Sequence, residues 1–398
     1  MAAGRELHLL LSFVIVCAVF YPHVQACICV DMPWQGVPAD LRPAFVHRAA
    51  LGMVLGMPAG LRLRGGGVQG SGPMAVDSGG VAGSGPRVFT MGGFVIGFGH
   101  SMLTDVVESY SPDKGGWRKE PGLPVATSGN QAEMLHGSIY MMGGQDSRFL
   151  EPILANASQT VEAADCVWPT LDSVWRLDAA SRQWLPAPAM FHRRTCFASA
   201  TVDGRIYVAG GFNGAIFVAG VECFDPRESK WRRLPDLPRP RSAMAMSSVQ
   251  AGGGSFLVAC GGVTLPDGGI SDAVDIFDVR KGAWVEGPPL LGGRSGAATA
   301  SIGHKLYIMG GVGPDGALGG VDIFDIRTLK WERDLSDAMS QPRTSLSAVA
   351  CGETIVAMGG YDGQGLPVDT VEIYHPSRGW STGKSLSFAR GMMAATLC

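Results

Sequence analysis

Five arginines recur at one place in this chain, and a guanidinium is well suited to hold a carboxylate or phosphate by two oxygens at once. They are Arg194, Arg241, Arg294, Arg343 and Arg390. Arg194, Arg294 and Arg343 each stand sixteen residues before a Gly-Gly pair, at Gly210, Gly310 and Gly359. Arg241 stands twenty before Gly261, and the extra length falls in Ala251-Gly-Gly-Gly-Ser255. One further pair, at Gly143, has Thr127 at the corresponding place. Acids recur as regularly: Glu108, Glu222, Asp275, Asp322 and Glu372. Two chemistries fit this pattern. The arginines form a ring that receives an acidic partner, or they pair with the chain's own acids.

The first is the expectation carried forward, with all five arginines as partner-binding residues. Catalysis would require a positioned acid or base beside them, and only His192 stands near such a place, so no catalytic residue is assigned. No CxxC pair or histidine cluster offers metal-ligand spacing. Neither a metal nor a cofactor is expected.

The elements that position these residues follow from a repeat. Six Gly-Gly pairs begin at Gly92, Gly143, Gly210, Gly261, Gly310 and Gly359, separated by 51, 67, 51, 49 and 49 residues. Each is followed by a tryptophan: Trp117, Trp184, Trp231, Trp284, Trp331 and Trp380. The fifth unit shows the pattern, with Lys305-Leu-Tyr-Ile-Met-Gly-Gly311, Val321-Asp-Ile-Phe-Asp325 and Lys330-Trp331. Short apolar or alternating runs between turn residues read as four antiparallel strands per unit. No sustained helical period follows residue 87.

A period near 50 residues, read with those glycines and tryptophans, resembles the kelch repeat. The resemblance covers residues 87–398 and implies an all-β, six-bladed propeller with four strands per blade. Little before Gly92 looks like strand material, whereas Phe388-Ala-Arg390-Gly-Met-Met-Ala-Ala-Thr-Leu397 resembles the opening strand of a repeat. The C-terminal strand is therefore expected to close blade 1, which removes the unpaired edges at the seam.

Kelch propellers that bind acidic peptides use arginines at the start of this strand, so the resemblance implies a non-catalytic protein-interaction module and a monomeric ring. Two alternatives come with the family. One is a sugar-acid epimerase or mutarotase, for which an arginine-rich mouth would suit a sugar carboxylate. The other is a substrate-recognition subunit of a ubiquitin ligase, although the first sixty residues do not resemble the BTB, BACK or F-box modules. Between Gly144 and Val174 the chain holds about twenty residues more than its counterparts, including Phe149, Asn156, Cys166 and Trp168. This loop shares a face with the segments entering strand one.

A net charge of −3 and a pI near 6.2 give no support for nucleic-acid or anionic-membrane binding. The apolar run Leu7–Tyr21, followed by Val24-Gln-Ala26, predicts a signal peptide over residues 1–26 and the secretory pathway. With that peptide cleaved, no integral membrane span is expected. Residues 27–86 read as a glycine-rich linker, and an acid-free stretch from Leu41 to Val76 leaves open an organelle presequence. A start without targeting function would leave the protein cytoplasmic. Asn156-Ala-Ser158 is a glycosylation sequon.

Overall fold

The repeated strands assemble as six four-stranded antiparallel sheets in a computed structural model that describes residues 86–95, 103–111, 116–146, 169–264, 269–334 and 338–398. The segments expected to form the signal peptide and most of the linker lie outside the described residues. So do Phe149, Asn156, Cys166 and Trp168.

Blade 3 is the pattern for the rest. Its strands one to four are Ala198–Val202, Arg205–Ala209, Val221–Asp225 and Lys230–Leu234, paired in that order. Blade 2 runs from Gln131–Leu135 to Trp184–Ala187, blade 5 from Ala298–Ile302 to Lys330–Asp334, and blade 6 from Ser347–Cys351 to Gly379–Thr382. In blade 4 strands one and two lengthen to Ala245–Ala251 and Gly254–Cys260, which accounts for the longer spacing after Arg241. The six strands one touch in sequence around the centre and the circle closes. Among the described residues there is no helix.

Blade 1 is completed across the chain ends. Strand Ala394–Leu397 pairs with Val88–Met91, from Val88 opposite Leu397 to Met91 opposite Ala394. Arg87 and Cys398 exchange two further backbone hydrogen bonds of 2.8 and 2.7 Å.

Tryptophans fill the seams between blades. Trp231 lies 5.3 Å from Phe224 of its own strand three, and its indole N–H donates to the Pro188 carbonyl of the preceding blade at 2.7 Å. Trp184, Trp284 and Trp331 repeat the donation to Pro121, Pro235 and Pro288, and Trp117 donates to Lys384. An apolar ring with one donor suits a half-buried seam that presents one carbonyl.

Gly310 and Gly311 show why the pairs are obligatory. Their φ angles are +63° and +93°, and a Cβ on Gly310 would sit 2.7 Å from the Arg343 carbonyl oxygen of the next blade. The left-handed backbone and the close approach both exclude a side chain.

Removing residues 388–398 should leave Val88–Met91 as an unpaired inner edge and break the circle. The truncated chain is expected to lose its single cooperative melting transition and to aggregate, whereas a thermal melt matching the intact protein would exclude this closure.

Candidate functional site

Each arginine stands four residues ahead of its strand one, in a segment that serves two blades. Its carbonyl accepts the N–H of the second glycine of the preceding blade: Gly144 to Arg194, Gly211 to Arg241, Gly262 to Arg294, Gly311 to Arg343 and Gly360 to Arg390, at 2.8–2.9 Å. Two residues further on, the chain turns through the left-handed region at Cys196, Ala243, Gly296, Ser345, Met392 and Gly129, with φ between 50° and 64°.

These six residues bond to one another in a closed circle. Gly129 donates to Met392, Met392 to Ser345, Ser345 to Gly296, Gly296 to Ala243, Ala243 to Cys196, and Cys196 to Gly129, at 2.7–2.9 Å. A left-handed residue other than glycine costs about 1–2 kcal/mol, and here each gains a buried inter-blade hydrogen bond.

The expected ring of exposed guanidiniums is corrected by the side-chain positions. Arg194, Arg241, Arg343 and Arg390 are 0% exposed and Arg294 is 4% exposed. Each is turned away from the mouth into its own blade. Arg194 donates to Glu222 at 2.5 Å and to the carbonyls of Gly210 and Gly220 at 2.9 and 3.0 Å. Arg241 pairs with Asp275 at 2.5 Å, Arg343 with Glu372 at 2.8 Å, Arg390 with Glu108 at 2.9 Å, and Arg294 with Asp322. The physical reason is burial: a cation inside an apolar seam must be matched, and the strand-three acid is in reach. Burial lowers all five arginines from their ordinary value, Arg390 to about 10, and the nearby acids oppose that shift.

Blade 2 completes the case. Where the other blades have arginine it has Thr127, and where they have the strand-three acid it has Trp175. The blade without the cation is the blade without the anion. That covariation within one chain was a readable signal for internal pairing.

Glu222, itself 0% exposed, also holds a surface loop. Its carboxylate accepts the backbone N–H groups of Phe191 and His192 at 2.7 and 3.1 Å, and His192 Nδ1 lies 2.8 Å from it. Phe191 is thereby displayed, 52% exposed, with the Arg233 guanidinium 4.9 Å from its ring centre. The insertion expected to overhang this face falls mostly outside the described residues.

Residues missed by sequence reasoning include these loop side chains. The large apolar residues exposed among the described residues are Val125, Leu185, Phe191, Ile216, Val285, Leu291, Leu329 and Leu366. Val125, Phe191 and Leu291 lie in loops from strand four to strand one, and Ile216 and Leu366 in loops from strand two to strand three. Antiparallel order puts both loop types on one face.

Glu133 was also missed. It is the one charged side chain on the six inner strands, where it accepts from Ser199 and Thr201 of the next blade at 2.7 and 2.8 Å. Burial pushes its carboxyl above the ordinary 4.5, and the two hydroxyls oppose the shift. The five described cysteines are free, and burial pushes Cys196 and Cys223 up to about 11 and Cys260 to about 12.

Comparison with known proteins agrees with the repeat. The Kelch motif family model matches residues 193–238, 293–333 and 342–386. Kelch-like protein 36 of Bos taurus is 26% identical over 295 residues, 71% of this chain and 44% of its own length. Kelch-like protein terF of Aspergillus terreus is 25% identical over 301 residues, 71% of this chain and 60% of its own. Alpha-scruin of Limulus polyphemus is 25% identical over 226 residues, 54% and 23% of the two chains. The chain thus spans less than two thirds of each relative. The solved structure of YjhT superposes with a TM-score of 0.54 at 17% identity, covering 70% of this chain and 89% of that one, a likeness of fold.

Two measurements test this geometry. Arg343→Ala leaves Glu372 buried without its cation and should cost about 3–5 kcal/mol in chemical denaturation. A loss below about 1 kcal/mol would place the guanidinium in solvent. Glu133→Gln tests the inner carboxyl. An acid whose folded pKa is raised contributes stability that is complete below its unfolded pKa and is lost as pH rises through the folded value. The wild-type melting temperature should therefore fall, relative to the glutamine variant, as pH is raised from about 4 to about 8.

Proposed function

From the premise that this chain carries kelch repeats on a six-bladed propeller, we propose that it is a non-catalytic module that binds a protein partner through apolar anchors on the face where the two-to-three and four-to-one loops emerge. The observation that carries the reading is the gathering of Val125, Phe191, Ile216, Leu291 and Leu366 there, against Leu329 alone in an opposite-face loop among the described residues. Aromatic and large apolar side chains at a fixed backbone position are what a binding hot spot requires. The internally paired arginines do not serve as the contact surface in this reading, so the partner's chemistry is apolar at its centre.

A carboxylate-clamping epimerase site is disfavoured by the same burial. His192 is oriented by Glu222, but the arginines that would hold a sugar carboxylate are withdrawn into their own blades. The relatives named kelch-like support the interaction class. Secretion remains our proposal for the compartment, resting on the Leu7–Tyr21 run, and sequencing the mature N-terminus tests it. No described helix is long and apolar enough to cross a membrane.

The experiment compares captured proteins on the wild type and on Phe191→Asp combined with Leu291→Asp. Loss of an anchor residue costs about 2 kcal/mol or more, so binding of the recovered partner should weaken at least about thirtyfold. The melting temperature should hold, and raised salt should leave wild-type capture intact because the contacts are apolar. Unchanged capture by the double variant, or elution by salt, would refute this face. Turnover of a sialic-acid anomer that is abolished by His192→Gln would return the enzyme reading.

A further inference from the structure

The exposed apolar residues proposed as anchors stand beside a repeated acid. Two residues before strand three the chain has Asp105, Asp172, Asp272 and Asp369 in blades 1, 2, 4 and 6, and Ala219 and Gly319 in blades 3 and 5. The backbone carbonyl at this place accepts an N–H from the loop that leaves strand four of the same blade. Leu123 donates to Asp105, Met190 to Asp172, Leu290 to Asp272 and Leu386 to Asp369, at 2.8–3.0 Å. Val125 lies two residues past Leu123, Phe191 one past Met190 and Leu291 one past Leu290, and Leu366 precedes Asp369 by three. Four of the five anchors are thus coupled to an aspartate, and only Ile216 stands in a blade without one. The loops tied to Ala219 and Gly319 have Pro238 and Ser340 where Phe191 and Leu291 stand.

The fold does not require an acid here. The tie runs through the backbone, and Ala219 and Gly319 make it equally well at 2.9 Å. Asp105, Asp272 and Asp369 are exposed, and their carboxylates make no hydrogen bond or ion pair with a described residue. Asp172 is met by Arg193 at 3.8 Å. On the opposite face the acids have a structural use: Asp178, Asp225, Asp278 and Asp325 each accept backbone N–H groups of their own turns at 2.7–3.0 Å.

Charge is therefore unevenly shared between the faces. Buried side chains aside, the described loops of the anchor face carry seven aspartates, these four with Asp236, Asp315 and Asp362, against Arg193, Arg239 and Lys384. Arg233 adds one cation from strand four, over the Phe191 ring. Counted in the same way, the loops of the opposite face carry six cations against four acids.

Resting on the anchor reading, we infer that the partner is a protein segment whose apolar side chains are flanked by lysine or arginine. This reverses the acidic partner that the arginines suggested in sequence, because those cations are buried and paired while the aspartates are not. Carboxylates left in solvent beside apolar anchors attract a ligand that brings its own cations, and the same field repels nucleic acid and anionic lipid. Charges at the rim of an apolar contact act chiefly on the rate of encounter and on which partner is accepted, whereas the anchors hold the complex. Salt should therefore slow association without stripping a formed complex.

Selection from a library of random peptides on the full chain tests this. The anchor-face ligands are the peptides retained by the wild type and lost on Phe191→Ala combined with Leu291→Ala. They should carry net positive charge, with lysine or arginine beside their apolar residues. Asp105→Asn, Asp272→Asn and Asp369→Asn together should slow association of such a peptide about tenfold at low salt, with its dissociation rate and the protein's melting temperature nearly unchanged. Neutral or acidic anchor-face ligands would overturn the inference and leave the anchors standing, as would an association rate that the triple variant does not alter. Peptides that bind the Phe191 and Leu291 variant as well as the wild type would refute the anchor face, and this inference with it. If the triple variant does not fold, the charge of the peptides selected on the wild type decides.

Discussion

The arginine ahead of each inner strand is the constraint from which most of the ring follows. Its carbonyl is fixed beneath the glycine pair of the preceding blade, while its guanidinium is fixed to the strand-three acid of its own. One residue thus binds two neighbouring sheets. The carbonyl's position excludes a Cβ from Gly143, Gly210 and Gly310, each of which would meet it at 2.7 Å. The left-handed residue two positions later then carries the chain into strand one and adds the inner circle of backbone hydrogen bonds.

A buried ion pair is a poor source of net stability, because desolvation offsets the attraction between its charges. Its stronger effect is on alternatives. A strand three slipped out of register within its own blade would strand a guanidinium and a carboxylate in the apolar interior, at a cost of several kcal/mol per ion. Five such pairs around the ring penalise a misregistered blade in a way that interchangeable apolar contacts do not. This argues that the arginine side chains recur because they fix the internal register of each blade, while their carbonyls join it to the blade before, and that what recurs once per blade belongs to the scaffold.

Much of this was legible in the chain. The glycine period and the six tryptophans report geometry that permits no other residue at the first and favours one at the second, so the blade count and the C-terminal closure could be read directly. The arginines were legible as a ring but not as braces, since one spacing serves both readings until the paired departure of Thr127 and Trp175 is noticed. The inner circle left no trace, because Cys196, Ala243, Gly296, Ser345 and Met392 share a backbone conformation and no side-chain chemistry. Exposed Phe191 and Leu291 were equally silent, since an apolar loop residue looks the same in sequence whether it is covered or not. The Kelch motif model matches segments at blades 3, 5 and 6, while blade 1 is split between the chain ends, blade 2 holds the insertion, and blade 4 has the longer hairpin.

Scaffold and surface meet at the strand-three acids. Glu222 neutralises Arg194 and also accepts the backbone N–H groups of Phe191 and His192. Glu372 does the same for Arg343 and the N–H of Ser340. The loop that presents an exposed residue is therefore held by the pair that braces the blade beneath it. At these equivalent places one loop displays a phenylalanine and the other a serine, so the support is constant while the displayed side chain changes. A loop held at its backbone loses little conformational entropy when a partner covers it. Buried braces of uniform chemistry thus allow the loop residues above them to differ from blade to blade, and that variation is where selectivity for a partner can reside.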